Sequence, residues 1–206
     1  MRKVVDAATR TYHWLFAASF VGAYISADSE KFRLLHVTLG YTMIGLLAFR
    51  LLWGIFGPRH MRLSGMFRKL QGFRTLVEAL RSGQWMQTTQ LKQSANLMMT
   101  SIIVLLLLSV IPLTLSGYAV YNELAGGWLE DVHEFFGEFM LFLVLTHLVM
   151  IALVSLLRRS NLARSMITGY VAGPGPDLIK SDYRVVTATL LLGVTAWMTW
   201  YIFFNE

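Results

Sequence analysis

The chain has 206 residues, of which 55% are hydrophobic and only 15% charged; its formal charge is +6 and it contains no cysteine. A charged share well below the ~25% of soluble domains and a mean hydropathy of +0.54 exclude an ordinary water-exposed globular fold. The missing thiols exclude disulfides, thiolate-held iron–sulfur and zinc sites and covalent c-type haem attachment, so any redox metal must hang on His, Met or carboxylate.

A helix crossing ~30 Å of hydrocarbon needs ~20 mainly apolar residues. In chain order five stretches meet this: Thr9–Ala27, Leu34–Phe56, Asn96–Tyr121, Val132–Leu157 and Val185–Phe204. The first opens on polar residues and is the weakest; it has no small-residue cleavage site and leads straight into another span, so it reads as a span and not as a cleavable signal. Between the second and third, Leu63, Met66, Phe67, Leu70, Phe73, Val77 and Leu80 recur at three- and four-residue steps with Arg68, Lys69, Arg74 and Arg81 between them. That pattern predicts a basic amphipathic helix over about 61–82, lying on a membrane surface. The third span carries Pro112, which is expected to bend it. Gly173-Pro174-Gly175-Pro176 reads as a turn, so the fifth span is appended to a four-helix core.

Lys and Arg are unevenly shared. Fifteen of the 18 lie at the N-terminus, after the second span or after the fourth; Lys31 and Arg33 lie on the opposite side and Arg50 within the second span. The positive-inside rule sets the N-terminus in the cytoplasm and, with five spans, the C-terminus outside. The basic charge is thereby topological, and a nucleic-acid partner is not expected.

Of five histidines, four lie in or at the ends of spans, where an ionisable side chain is costly and marks a functional site. His13 is near the inner end of the first span and His36 near the outer end of the second. His133 and His147 share the fourth, 14 residues apart. That spacing is roughly 21 Å of rise and brings the two side chains within ~40° of one another. His133 is then level with His36, and His147 with His13. Neutral imidazoles are good axial ligands for haem iron, and a haem held by two of them moves electrons. The depths therefore predict two bis-His b haems, His36–His133 outside and His13–His147 inside. Gly40 and Gly137 each follow a histidine by four residues, on the same face, and give a flat porphyrin room against the backbone. Arg10 and Arg50 match a haem propionate bidentately, with snorkelling to phosphates the alternative for Arg50. Glu138 reads as a hydrogen-bonded structural carboxylate, and His60 as a bystander in the basic loop.

Arg10-Thr11-Tyr12-His13-Trp14, His36-Val37-Thr38-Leu39-Gly40-Tyr41, Arg50-Leu51-Leu52-Trp53-Gly54-Ile55-Phe56-Gly57, His133-Glu134 with His147, and Asn161-Leu162-Ala163-Arg164-Ser165-Met166-Ile167-Thr168-Gly169 run in order over about residues 1–170. The ordered set resembles the prokaryotic cytochrome b561 and nickel–iron hydrogenase b-type cytochrome superfamily. It departs from that pattern at Ala95-Asn96-Leu97, where a His-Asn-Pro-like stretch is usual, and the fifth span falls outside the matched stretch. The resemblance implies the same two histidine pairs, and electron flow between a partner at the outer face and quinone near the inner one.

The expected architecture is an all-α integral membrane protein: a four-helix transmembrane bundle holding two b haems over residues 1–170, then a loop and an appended fifth transmembrane helix over 171–206. The expected function is that of a cytochrome b subunit in a bacterial inner membrane. It relays electrons between a periplasmic dehydrogenase, hydrogenase or cytochrome c and the quinone pool (ubiquinone or menaquinone), with no catalytic residues of its own and with lipid around it. The alternatives are a stand-alone superoxide oxidase passing electrons to quinone, opposed by the acidic outer residues Glu123, Glu130 and Asp131, and a non-redox transporter using the histidines as a proton relay.

Overall fold

A computed structural model of the chain describes residues 1–73, 81, 88–124 and 126–204. Its helices are α1 (Ala7–Ser26), α2 (Arg33–Phe56), α3 (Leu63–Leu70), α4 (Thr88–Tyr121), α5 (Trp128–Arg158), α6 (Ala163–Thr168) and α7 (Arg184–Phe204). Two short strands, β1 (Arg2–Lys3) and β2 (Tyr170–Val171), pair antiparallel with Arg2 opposite Val171.

Four helical stretches are long and apolar enough to cross a membrane: Glu30–Phe56, Gln93–Tyr121, Trp128–Arg158 and Arg184–Phe204. α1 forms where the first span is expected and at 20 residues is about 30 Å long. It is not among the four, because Arg10, Thr11, Tyr12 and His13 occupy its first two turns. α1 packs along α2, α2 on α4, and α4 on α5, while α7 lies across α1 and α2. Expected and observed boundaries differ most at α4, which begins eight residues before Asn96 and runs through Pro112 without interruption.

Of the amphipathic stretch expected over 61–82, Leu63–Leu70 is helical and is followed by a turn at Gln71 and Gly72. Val77, Leu80 and Arg74 lie outside the described residues.

The chain reverses four times, so the N-terminus, α3, α6 and the start of α7 share one end, called the basic end below. The loop at 27–32 and residues 122–124, 126 and 127 form the acidic end. Hydroxyls inside the helices are bonded to their own helix: Thr38 donates to the Leu34 carbonyl (2.6 Å), Thr42 to Thr38 (2.8 Å) and Ser116 to Pro112 (2.6 Å). In hydrocarbon no water is there to do this, so an i−4 carbonyl is the available acceptor.

The basic end is tied by a backbone clamp. Asp6 caps α1, accepting from the Thr9 amide (2.7 Å) and hydroxyl (3.0 Å). The Val4 and Val5 amides both donate to the Gly169 carbonyl (2.8 and 3.2 Å). Gly169 ends α6 at φ +85°, and a Cβ there would stand 2.8 Å from the Val5 carbonyl oxygen, so glycine is required twice over. The Lys3 amide donates to Asp177 (2.6 Å), its carbonyl accepts from Leu178 (2.9 Å) and its ammonium pairs with Asp182 at 2.5 Å.

The Lys3 ammonium, first as a hydrogen-bond donor, holds the Asp182 carboxyl below its ordinary value. A depressed folded-state pKa stabilises the fold above the unfolded carboxylate range, and that contribution is lost as the pH falls through the folded value. Asp182→Asn is expected to lower the melting temperature of the purified protein slightly at neutral pH, by about 1 kcal/mol for a half-buried pair near the surface, and to make no difference at a pH low enough to protonate the carboxylate. Equal losses at both pH values would refute the ion-pair contribution.

Candidate functional site

The four histidines singled out by the sequence lie on three helices, and their spacing sorts them into two levels. Along α5, His133, Met140 and His147 follow at seven-residue steps, which keeps them on one face and spaces them by about 10 Å. The other two helices repeat the device: Phe20 stands seven residues after His13 on α1, and Met43 seven after His36 on α2. Phe20, Met43 and Met140 meet Leu47, Val110 and Leu113 in one buried cluster, with Met43 2% and Met140 1% exposed. An apolar plug therefore separates the acidic-end level from the basic-end level.

At the acidic end the rings of His36 and His133 face each other edge to face with their centres 5.9 Å apart. A metal gripped by two imidazole nitrogens at about 2 Å each would hold ring centres roughly 6 Å apart. Each ring is anchored through Nδ1 to a backbone carbonyl: His36 to Ala23 on α1 at 2.9 Å, and His133 to Leu113 on α4 at 2.8 Å. A carbonyl can only accept, so Nδ1 carries the proton in both rings and Nε2 is left with its lone pair, the tautomer a ligand needs.

The helices reach these contacts through glycine. A Cβ at Gly117 would lie 2.7 Å from Cε1 and 2.9 Å from Nδ1 of His133, so only glycine lets that ring rest on the α4 backbone. At Gly22, between α1 and α2, a Cβ would stand 2.8 Å from Leu39 Cδ1, a contact that a shift of the leucine side chain relieves. Gly40 and Gly137 behave oppositely, for a Cβ on either meets nothing within 4 Å. Both line a cavity of about 710 Å³ that also holds His36, His133 and Gly117. The cavity exists because α5 packs along α4 while making no comparable contact with α1 or α2 among the described residues.

Asp28, Glu30, Glu130, Glu134 and Glu138 line the same cavity, with Arg33 the one basic side chain. Arg33 lies over the Tyr121 ring, 5.6 Å from its centre. Glu138 accepts from the Tyr24 hydroxyl at 2.8 Å, tying α5 to α1 as a hydrogen-bonded carboxylate.

At the basic end stand His13 on α1 and His147 on α5. Their surroundings differ from those of the first pair: both Nδ1 atoms, and Arg10 Nε with them, are buried and bond to no group among the described residues. Buried nitrogens are rarely left so, and three together fit a site that accepts a further group. Arg10 also donates from a terminal nitrogen to the Ile167 carbonyl (2.8 Å), and Trp14 donates to Met166 (2.9 Å), so α6 is stitched to α1 beside His13. Arg50 folds toward the turn after α2, donating to the Met61 carbonyl at 3.2 Å and touching Met66 Sδ at 3.4 Å.

Sequence reasoning missed Gly117, the two anchoring carbonyls and the plug. The plug had a readable signal in the seven-residue steps from each histidine to Phe20, Met43 and Met140. The paired imidazoles and bare glycine backbone of the acidic-end cavity fit a planar iron porphyrin.

Neither a curated relative nor a solved structure matches the chain. The family model for prokaryotic cytochrome b561 matches residues 4–169, ending at the glycine that closes the basic-end clamp. The chain belongs to the prokaryotic cytochrome b561 family and is a multi-pass membrane cytochrome of the b type, made for electron transfer.

Proposed function

We propose that the chain is a di-haem subunit that relays electrons between a partner at its acidic end and the quinone pool. His36 and His133 hold one b haem, His13 and His147 the other, and α5 supplies a ligand to each. The observation that carries the reading is the anchoring of His36 and His133 by backbone carbonyls across a glycine-lined cavity. Bound b haem with two axial imidazoles supplies one-electron transfer and leaves no open coordination position.

The chain's own residues have definable tasks. Ala23 and Leu113 fix the tautomer and aim of the acidic-end imidazoles. Gly40 and Gly137 leave the floor of the cavity bare. Arg10, whose Nε has no partner among the described residues, and Arg50 serve propionates at the basic end. The Phe20–Met43–Met140 plug excludes water between the levels. α1 completes the bundle as a fifth spanning helix, which places the N-terminus in the cytoplasm and the C-terminus in the periplasm of a bacterial inner membrane. A periplasmic dehydrogenase, hydrogenase or cytochrome c is then the partner. The five carboxylates around the outer cavity repel an anion, which ranks superoxide oxidation lower, since Arg33 is engaged over Tyr121.

Removing one ligand tests the pairing. His36→Ala or His133→Ala should lower haem per chain from about two to about one, and His13→Ala or His147→Ala should remove the other haem, as read by pyridine haemochrome and redox titration. Loss of the same spectral component in His36→Ala and His13→Ala would break the two-level assignment, and a wild-type chain with no reduced-minus-oxidised haem band would favour the proton-relay reading.

Gly117→Ala should displace the His133 ring and weaken retention of the acidic-end haem by about 10-fold, the scale of a lost orienting contact, while the basic-end haem stays. Unchanged retention of both would show that the His133 contact with α4 does not position the ligand.

A further inference from the structure

α7 leaves a second large cavity, and nothing in the di-haem reading uses it. It lies between α2 and α7 and has a volume of about 890 Å³, within the range of small-molecule sites. Its breadth comes from two glycines, Gly45 on α2 and Gly193 on α7, at each of which a Cβ would meet nothing within 4 Å. Among the described residues no charged side chain lines it; its polar groups are the hydroxyls of Tyr41, Thr42, Thr189 and Tyr201 and the indoles of Trp197 and Trp200.

Three observations fix the kind of occupant. First, the polar groups other than Thr189 gather toward the acidic end, where the Trp197 and Tyr201 rings lie tilted at 5.2 Å between centres and Tyr41 meets Tyr201 at 5.5 Å. Apart from Thr189 the remainder is apolar, so an occupant has a flat polar head and a hydrocarbon tail. Second, the Trp197 Nε1–H is buried and finds no acceptor among the described residues, and indole is a donor only. A head bearing carbonyl acceptors answers it, whereas a phospholipid head brings charge that this groove has no ion to balance. Third, Tyr41 and Ile44 line both this groove and the His36–His133 cavity, so the head of an occupant lies one side chain from the acidic-end site.

We propose that the α2–α7 groove binds a lipid-soluble quinone, its ring among Tyr41, Trp197 and Tyr201 and its tail running along Gly45 and Gly193 toward the basic end. The redox sense of this assignment rests on the di-haem reading; the binding site itself does not. It places quinone beside the acidic-end level and gives the fifth helix a task.

The test is photolabelling of the haem-loaded full-length protein in lipid nanodiscs with an azido-quinone, the adducts being mapped by mass spectrometry. A photoactivatable phosphatidylcholine serves as the parallel probe. The azido-quinone should label residues of α2 or α7 around the groove, and excess decylubiquinone should suppress that labelling. Gly193→Leu, which fills the groove, should cut it about 10-fold, and Trp197→Phe, which keeps the ring and removes the donor, about 3-fold. If Gly193→Leu does not fold, Gly45→Leu makes the same test from the other wall. Quinone labels confined to the basic end, labelling unaffected by all three variants, or phosphatidylcholine labelling that decylubiquinone does not displace would each overturn the assignment. Absent haem bands would instead sink the di-haem reading and leave the labelling result standing on its own.

Discussion

Inside a bilayer no water is at hand, so each polar group at depth must be answered by protein or by something the protein binds. Most features of this chain follow from that constraint. Its helical hydroxyls turn back to their own carbonyls, and the Tyr24 hydroxyl is spent on Glu138. The acidic-end histidines spend one nitrogen each on a carbonyl borrowed from a neighbouring helix. In the di-haem reading the other nitrogen of each ring holds the iron.

Helix packing follows from the same constraint. Lipid tails are as apolar as leucine, so close van der Waals fit, not water exclusion, draws membrane helices together. α4 and α5 fit closely where Gly117 admits the His133 ring. α5 then stands off from α1 and α2, and the gap is filled in the middle by Phe20, Met43 and Met140 and left open at the acidic-end histidine level. The methionines suit a plug between irregular surfaces, being unbranched and adaptable.

Much of this was legible from one dimension. The 14 residues between His133 and His147, with the opposed directions of the first two spans, give the two levels without any contact map. Gly40 and Gly137 were readable because they follow their histidines by four residues on the same helix. Gly117, Ala23 and Leu113 were not, since each acts on a histidine from a different helix and no local period reports such a meeting. The first span was uncertain for a physical reason: the residues that tie it to α6 and stand beside the basic-end histidine level, Arg10 and His13 among them, are the ones that lower its hydropathy.

The fifth helix shows why a family pattern and a fold need not end together. The match stops at Gly169, yet the chain beyond it is woven into the clamp by Leu178 and Asp182 before α7 begins. α7 then lies on α1 and α2, not on α5. Among the described residues it adds no side chain to the lining of the His36–His133 cavity and covers outer faces of α1 and α2. Tyr41, which would otherwise face lipid there, gains Trp197 and Tyr201 as neighbours, and becomes the shared boundary of two cavities. An added helix placed this way can change what approaches the acidic-end site from the bilayer without disturbing how that site is built.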